Sequence, residues 1–148
     1  PAIVEKEDTK RALEKDKGIA GVLEHAQSSD TFLFSAGPAT EVSIHVQSGY
    51  IDHADIAQLQ QHGAVGDVWG RYITAEGEIA DDGLDGRTLG LSLDVLRDAP
   101  RSIAVVAGAE KHDIALAIAK NALATVMITD EATATFLLRA AHEAKDAS

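Results

Sequence analysis

The sequence predicts an α/β fold built on a mostly parallel sheet with helices on both faces. Three short runs, 31–35, 102–107 and 125–129, are apolar almost throughout, and segments with helical periodicity separate them. Strands that are apolar on both sides are typical of parallel sheets, because helices cover both faces of such sheets. The predicted architecture is therefore a Rossmann-like, three-layer domain.

The elements before residue 90 are predicted from periodicity, caps and turn residues. The first helix has apolar residues at spacings near 3.6, and Gly18 is expected to break it. Asp52 is a typical N-cap, and Gly63 a typical helix stop. In chain order, these elements are helix 5–27, strand 31–35, a long loop 38–50 with at most a helical turn, helix 52–62, strand 66–73, turn 75–77 and loop 81–90.

The last third has the clearest pattern. Ser92 can cap a short helix that ends before Pro100, because the residue before a proline disfavours the helical conformation. The apolar run 102–107 stops at Gly108, and Asp130 can cap the terminal helix. The remaining elements are helix 92–96, strand 102–107, a helix after Gly108 through Ala122, strand 125–129 and the terminal helix.

Composition and charge exclude several classes of function. The chain has 148 residues, which fits one domain, and 13 basic against 24 acidic residues give a net charge of -11. This charge argues against the chain itself gripping a nucleic-acid backbone, although a small anion needs only one local positive pocket. The absence of cysteine excludes disulfides, thiolate zinc sites and cysteine nucleophiles. No segment has the ~20 apolar residues of a membrane helix.

The end of strand 102–107 is the first candidate binding site. Gly108 lets the chain turn tightly into a helix, and the N–H groups at a helix start attract anions. Lys111 lies in the first helical turn, where a cation opposes the helix dipole unless a bound anion offsets the cost. The alternative is a solvated lysine paired with Glu110 or Asp113.

Asp67 is the second candidate, at the start of strand 66–73. Its carboxylate could accept hydrogen bonds from ligand hydroxyls or from local backbone amides. Arg71 and Arg87 could bind an anion or form surface ion pairs. The six histidines form no metal-binding pair, and no nucleophile–base–acid set is recognisable, so neither a metal site nor a cofactor is predicted.

Four segments in order carry a family resemblance. Together they resemble the C-terminal sugar-binding domain of SorC/DeoR-type bacterial transcriptional regulators, over about residues 20 to 140. The segments are GAVGDVWGR (63–71), GLSL (90–93), IAVVAGAEK (103–111) and TDEATA (129–134).

The resemblance implies a fold similar to glucosamine-6-phosphate deaminase and ribose-5-phosphate isomerase, used as a sensor. In this family a helix-turn-helix that binds operator DNA precedes an effector domain that binds a phosphorylated sugar, in a cytoplasmic homo-oligomer (dimer or tetramer). Residues 1–148 are then expected to be the C-terminal portion of the effector domain. The helix-turn-helix and the first part of the effector domain are absent from this sequence, which does not begin with Met.

The resemblance also implies five ligand-binding residues. Lys111 matches the family's lysine after the last glycine-rich strand exit, where Gly108 lies. Asp67 matches the acidic residue that meets sugar hydroxyls, and Gly37 is expected to line the pocket. Gln47 stands where many relatives have an arginine, which removes one expected phosphate contact or indicates a less highly phosphorylated effector.

The expected role is that of a non-enzymatic sensor whose ligand shifts the population of regulator states. One alternative is a phosphosugar isomerase or deaminase, with Asp67 as general base and Lys111 as electrophile. Another is an oligomerisation module that has lost its ligand.

Overall fold

The computed structural model describes residues 3–146. The helices are α1 (Glu7–Glu14), α2 (Lys17–Gln27), α3 (Ile44–Gln47), α4 (His53–Gln61), α5 (Asp82–Asp85), α6 (Asp94–Asp98), α7 (His112–Lys120) and α8 (Glu131–Asp146). The strands are β1 (Thr31–Phe34), β2 (Ala36–Pro38), β3 (Ala64–Val68), β4 (Arg71–Thr74), β5 (Arg101–Val105) and β6 (Val126–Ile128). None of the described helices has both the length and the apolar character needed to cross a bilayer.

The three apolar runs form one parallel sheet, in the order β1-β5-β6. Phe34 pairs with Ala104, and Ala104 pairs with Met127, so the register runs straight across the sheet. The prediction of an α/β fold with parallel strands is confirmed for these elements. It does not hold for the other three strands, which form a separate antiparallel sheet in the order β2-β3-β4.

The predicted strand 66–73 is wrong, because the chain reverses in its middle. β3 and β4 form a hairpin whose two turn residues, Trp69 and Gly70, have φ values of 58° and 79°. Positive φ at both central residues is the hairpin geometry that matches strand twist. Gly70 adopts this conformation freely, whereas tryptophan is not a typical turn residue, so the sequence pattern does not predict the turn.

Smaller corrections concern element ends and short elements. The first helix breaks before Asp16, whose side chain caps α2, and Gly18 lies inside that helix. The expected loop 81–90 contains α5, because Asp81 accepts a hydrogen bond from the Leu84 N–H at its start. The helical turn expected within 38–50 is α3. A 3₁₀ turn, Ala109–Lys111, precedes α7.

Helix α7 joins the two sheets into one core. Its buried residues Ile114, Ala115 and Ile118 pack in the same cluster as Phe34 of β1 and Val68 of β3. The approach to β3 is close: a Cβ at Gly66 would lie 2.6 Å from Ile114 Cβ. This contact fixes the end of the parallel sheet, where α7 begins, against the hairpin.

The other face of the parallel sheet is not covered by the described residues. Leu33 is 69% exposed and Ile128 is 55% exposed, and Val105 and Val126 are exposed as well. The prediction of helices on both faces is therefore wrong for residues 3–146. The alternation of buried and exposed positions along β1 shows that one face carries the core and the other lies open.

Candidate functional site

A cavity of about 920 Å³ lies where the two sheets meet. Its walls come mainly from β2, residues 42–45, the β3–β4 turn, residues 89–91 and the 3₁₀ turn before α7. Three predicted site residues line it: Gly37, Asp67 and Lys111. A separate cavity of about 680 Å³ contains none of the five ligand-binding residues that the family resemblance implies, although Arg71 lines it.

Asp67 is the buried acid of this cavity, with 6% of its surface exposed. β3 carries it inward, and its Oδ2 accepts a hydrogen bond of 2.9 Å from the Gly70 N–H in the hairpin turn. Burial raises the pKa of the Asp67 carboxyl above its usual value, against the opposing effects of His45, the Gly70 amide and Lys111. The sequence left two interpretations of Asp67, a hydrogen bond to a local backbone amide or a position facing a ligand. Asp67 forms the local hydrogen bond and also lines the cavity.

Lys111 brings a positive charge to the same cavity. It ends the 3₁₀ turn that follows β5, and it is close enough to Asp67 to lower the pKa of that carboxyl. Among residues 3–146, no carboxylate oxygen lies within 4.0 Å of the Lys111 ammonium. The alternative in which Lys111 pairs with Glu110 or Asp113 is thus not formed here.

Gly37 and Asp67 are direct partners across the antiparallel sheet. A Cβ at position 37 would overlap the Asp67 Oδ1 oxygen, so any side chain there displaces the carboxylate. The glycine therefore holds open the space that Asp67 occupies. This is a steric reason for glycine at an extended position, where no positive φ requires one.

The remaining two predicted residues lie outside the cavity lining. The Gly108 N–H donates to Asp130 Oδ2 at 2.7 Å, so the capping residue of α8 takes up this strand-exit amide. Hydrogen bonds from the backbone amides of Thr133 and then Gly108 lower the pKa of the Asp130 carboxyl. The Gln47 amide donates to the Val42 carbonyl at 3.0 Å and stabilises the turn around α3.

Three polar residues that no sequence pattern indicates form a hydrogen-bonded cluster beside Asp67. His45 is buried and lines the cavity, with Nδ1 at 3.2 Å from the Tyr72 hydroxyl and 3.8 Å from Asp67 Oδ1. The Tyr72 hydroxyl also lies 3.0 Å from Ser43 Oγ. These residues are up to 29 positions apart in the sequence. None of them belongs to a recognisable motif, so the sequence alone does not predict that they are in contact.

Tyr72 stays protonated in this cluster. Burial, together with the nearby negative charge of Asp67, raises the pKa of Tyr72 to about 12, although the bond with Ser43 opposes the shift. At neutral pH the phenol therefore keeps one proton to donate. This hydroxyl connects the segment around α3 to the hairpin beneath the cavity.

Arg71 supports the cavity wall from behind. It is buried, with 6% of its surface exposed, and it pairs with Asp85. Its Nη2 and Nε atoms donate to the carbonyls of Gly90 and Leu91, which line the cavity. The predicted ion pair is present, but its arginine is buried and its aspartate is partly exposed.

The walls combine apolar and aromatic surface with a few polar groups. Trp69 lines the cavity and packs edge-to-face on Phe32 and Phe34, with ring centroids 5.8 and 6.0 Å apart. Within residues 3–146, no group of three His, Asp or Glu side chains is arranged to hold a metal ion. The lining includes the carboxylates of Asp67 and Glu110, the imidazole of His45 and the ammonium of Lys111. A few polar groups around an apolar cavity suit a hydroxylated ligand, and Lys111 offers one positive charge to an anionic group of that ligand.

Comparison with known proteins places this chain in a family. The profile of the sugar-binding domain family matches residues 1–139. The deoxyribonucleoside regulator of Bacillus subtilis is 31% identical over 138 residues, which cover 93% of this chain and 44% of that protein. The chain thus spans less than half the length of this relative.

Solved structures agree with this assignment. A DeoR family transcriptional regulator from Listeria monocytogenes superposes with a TM-score of 0.87 at 30% identity, over 93% of this chain and 56% of that one. The full-length sorbitol operon regulator SorC from Klebsiella pneumoniae shares the fold, with a TM-score of 0.80 at 21% identity, over 93% of this chain and 44% of that one. These relatives are named as transcriptional regulators. The chain belongs to the sugar-binding domain family of DeoR- and SorC-type transcriptional regulators, as its four motifs predicted.

Proposed function

We propose that this chain senses a phosphorylated sugar and that the bound sugar changes the operator affinity of a helix-turn-helix elsewhere in the same regulator. The ligand would bind one arrangement of a cytoplasmic homo-oligomer, dimer or tetramer, better than another. Such coupling between two sites is typically worth ~1–3 kcal/mol. The net charge of -11 is consistent with DNA contacts made by another part of the regulator, because a negatively charged domain is repelled by DNA phosphates.

One observation carries the proposal: Asp67 and Lys111 line the same cavity. The carboxylate of Asp67 accepts hydrogen bonds from sugar hydroxyls, and the ammonium of Lys111 attracts the phosphate. The Lys111 ammonium has no carboxylate within 4.0 Å among the described residues, so its charge is available to a ligand. Gly37 belongs to the site by leaving room for Asp67.

Gly108 and Gln47 take indirect roles in this proposal. Gly108 orients the 3₁₀ turn that carries Lys111, through its bond to Asp130. Gln47 supports the turn around Val42, which lines the cavity. A glutamine in this position leaves the phosphate with Lys111 as its principal cation.

We also propose that the chain is the C-terminal portion of a larger effector domain with the isomerase- and deaminase-like three-layer fold. The open apolar face at Leu33, Val105, Val126 and Ile128 supports this, because parallel sheets are ordinarily buried on both sides. The matched relatives, which are about twice as long, have the additional chain to cover such a face.

A thermal-shift screen of the full-length regulator against sugar phosphates and the corresponding free sugars tests the proposal. A ligand at a hundred times its Kd stabilises the folded state by about 2.7 kcal/mol, which shifts the melting temperature visibly. Stabilisation by a sugar phosphate that also changes operator binding supports the sensor. Conversion of the ligand to product would support the alternative enzyme, and no effect from any compound would contradict a sugar-phosphate site.

A further inference from the structure

His45 lies at the centre of a chain of polar contacts beneath the cavity. Its Nδ1 is 3.2 Å from the Tyr72 hydroxyl, which is 3.0 Å from Ser43 Oγ. Ser43 Oγ in turn accepts the backbone N–H of His45 at 3.3 Å. The imidazole ring also packs edge-to-face on Tyr72, with centroids 5.9 Å apart. Position and ring orientation are therefore fixed by two neighbours in the folded chain.

The other ring nitrogen, Nε2, is available to a ligand. His45 lines the cavity, and Nε2 lies beside Gly70, which lines it too. Among residues 3–146, the hydrogen bonds of this side chain involve Nδ1 alone, and Nε2 is not among the fully buried atoms without a partner. The ring thus directs one nitrogen at Tyr72 and keeps the second free.

The chain of hydrogen bonds determines the role of Nε2. We infer that Tyr72 donates to Nδ1, because the phenol is the most acidic hydroxyl of the set and lies closer to Nδ1, at 3.2 Å, than the Asp67 Oδ1 oxygen does, at 3.8 Å. Ser43 then donates to the Tyr72 oxygen. An imidazole whose Nδ1 accepts a hydrogen bond must carry its proton on Nε2. The cavity therefore receives an N–H donor from His45 beside the carboxylate acceptor of Asp67.

We propose that His45 is a specificity-determining residue of the sugar site, which donates from Nε2 to a ligand hydroxyl oxygen near Asp67. A sugar hydroxyl both accepts and donates, so one hydroxyl, or two neighbouring ones, satisfies His45 and Asp67 together. Replacing that hydroxyl by hydrogen leaves a donor and a buried acceptor unpaired, which binding sites penalise strongly. This inference rests on the proposed function, and it assigns to His45 the discrimination between ligands that have this hydroxyl and ligands that lack it.

Two substitutions separate recognition from structural support. The amide of His45→Asn lies near the Nδ1 position and keeps a contact with Tyr72, but loses the donor at Nε2. The amide of His45→Gln reaches the Nε2 position and keeps a donor for the ligand. His53→Asn, at an exposed histidine outside the cavity, is the matched control.

The experiment measures the affinity of ribose 5-phosphate, 2-deoxyribose 5-phosphate and further sugar phosphates with matched deoxy analogues, by calorimetry on the full-length regulator. We expect His45→Asn to weaken the hydroxylated ligand about tenfold and to abolish its preference over the deoxy analogue. His45→Gln retains most of that preference, and His53→Asn behaves as the unmodified protein. Melting temperatures measured in parallel report structural damage separately.

Other outcomes contradict the inference in distinguishable ways. If His45→Asn lowers the melting temperature but leaves the hydroxyl preference intact, His45 is only a structural residue and the sugar site stands. The same holds if nitrogen-15 NMR places the proton of neutral His45 on Nδ1. If no sugar phosphate binds the unmodified protein, the proposed function fails and this inference fails with it.

Discussion

The carboxylate of Asp67 fills the space in which a side chain at Gly37 would lie. The two residues pair directly across the antiparallel sheet, so the glycine permits the acid to be buried at the cavity wall. The sheet thereby positions a carboxylate whose burial raises its pKa. In the proposed site, this buried acid would favour ligand binding at the expense of stability.

The stability cost of Asp67 predicts the effect of Asp67→Asn. Because the pKa of Asp67 is raised in the folded chain, its ionisation lowers the free energy of unfolding. The variant should therefore be more stable than the unmodified protein without ligand at neutral pH, and should lose affinity for sugar phosphate. The stability difference should be absent below the usual carboxyl pKa and grow as pH rises through the folded value. Urea denaturation across this pH range measures it, and a variant that is less stable at pH 7 would contradict the prediction.

Gly37→Ala should act through Asp67. The added methyl group displaces the carboxylate, and such overpacking typically costs about 1–3 kcal/mol. In the double variant with Asp67→Ala the obstacle is gone, so the two effects should be clearly less than additive. Gly21→Ala is the control, because nothing lies within 4 Å of its added Cβ and the helix should gain stability. Additive effects of the first pair would show that the contact is not the cause.

The turn at Trp69 should prefer glycine to alanine. Both Trp69→Gly and Trp69→Ala remove the edge-to-face packing on Phe32 and Phe34, so each should lower the free energy of unfolding by about 3–5 kcal/mol. Since φ at position 69 is 58°, Trp69→Gly should nevertheless be more stable than Trp69→Ala by roughly 1 kcal/mol. At Val68, inside β3, the order should be reversed. Chemical denaturation of the four variants tests the turn geometry directly.

Arg71→Lys should weaken both the fold and the cavity wall. Lysine keeps the charge near Asp85 but cannot also reach the carbonyls of Gly90 and Leu91, so a loss of about 2–3 kcal/mol is expected. Arg11→Lys, in an exposed pair with Glu7, should change stability by less than about 0.5 kcal/mol. Equal effects of the two substitutions on melting temperature would contradict the assigned role of Arg71.

The sequence predicted those parts of the fold that have a continuous local pattern. Strands β5 and β6 were identifiable because their residues are apolar almost throughout, and α4 because Asp52 and Gly63 mark its ends. The β3–β4 hairpin was not, since a turn with tryptophan at positive φ lacks the usual turn residues. Long-range pairing, and not local preference, holds that turn.

The candidate site was predictable only in part. Asp67 and Lys111 stood out by their positions at strand ends, and the family resemblance strengthened both. No local pattern indicated His45. Its partner Tyr72 is 27 positions away, and the segment around His45 has no regular spacing of apolar residues. The open face of the parallel sheet was also unpredictable. An apolar strand has the same composition whether residues of this sequence or residues outside it cover the strand.

Lys111 is proposed to bind the phosphate of the ligand. The decisive measurement compares the affinities of a sugar phosphate and its free sugar, for the unmodified full-length regulator and for Lys111→Gln. Lys111 should supply the attraction for the phosphate, so the unmodified protein should prefer the phosphorylated ligand by at least tenfold, and the variant should lose most of that preference while binding the free sugar as before. Calorimetric titration measures all four affinities. If Lys111→Gln keeps the full preference for the phosphorylated ligand, Lys111 does not bind the phosphate.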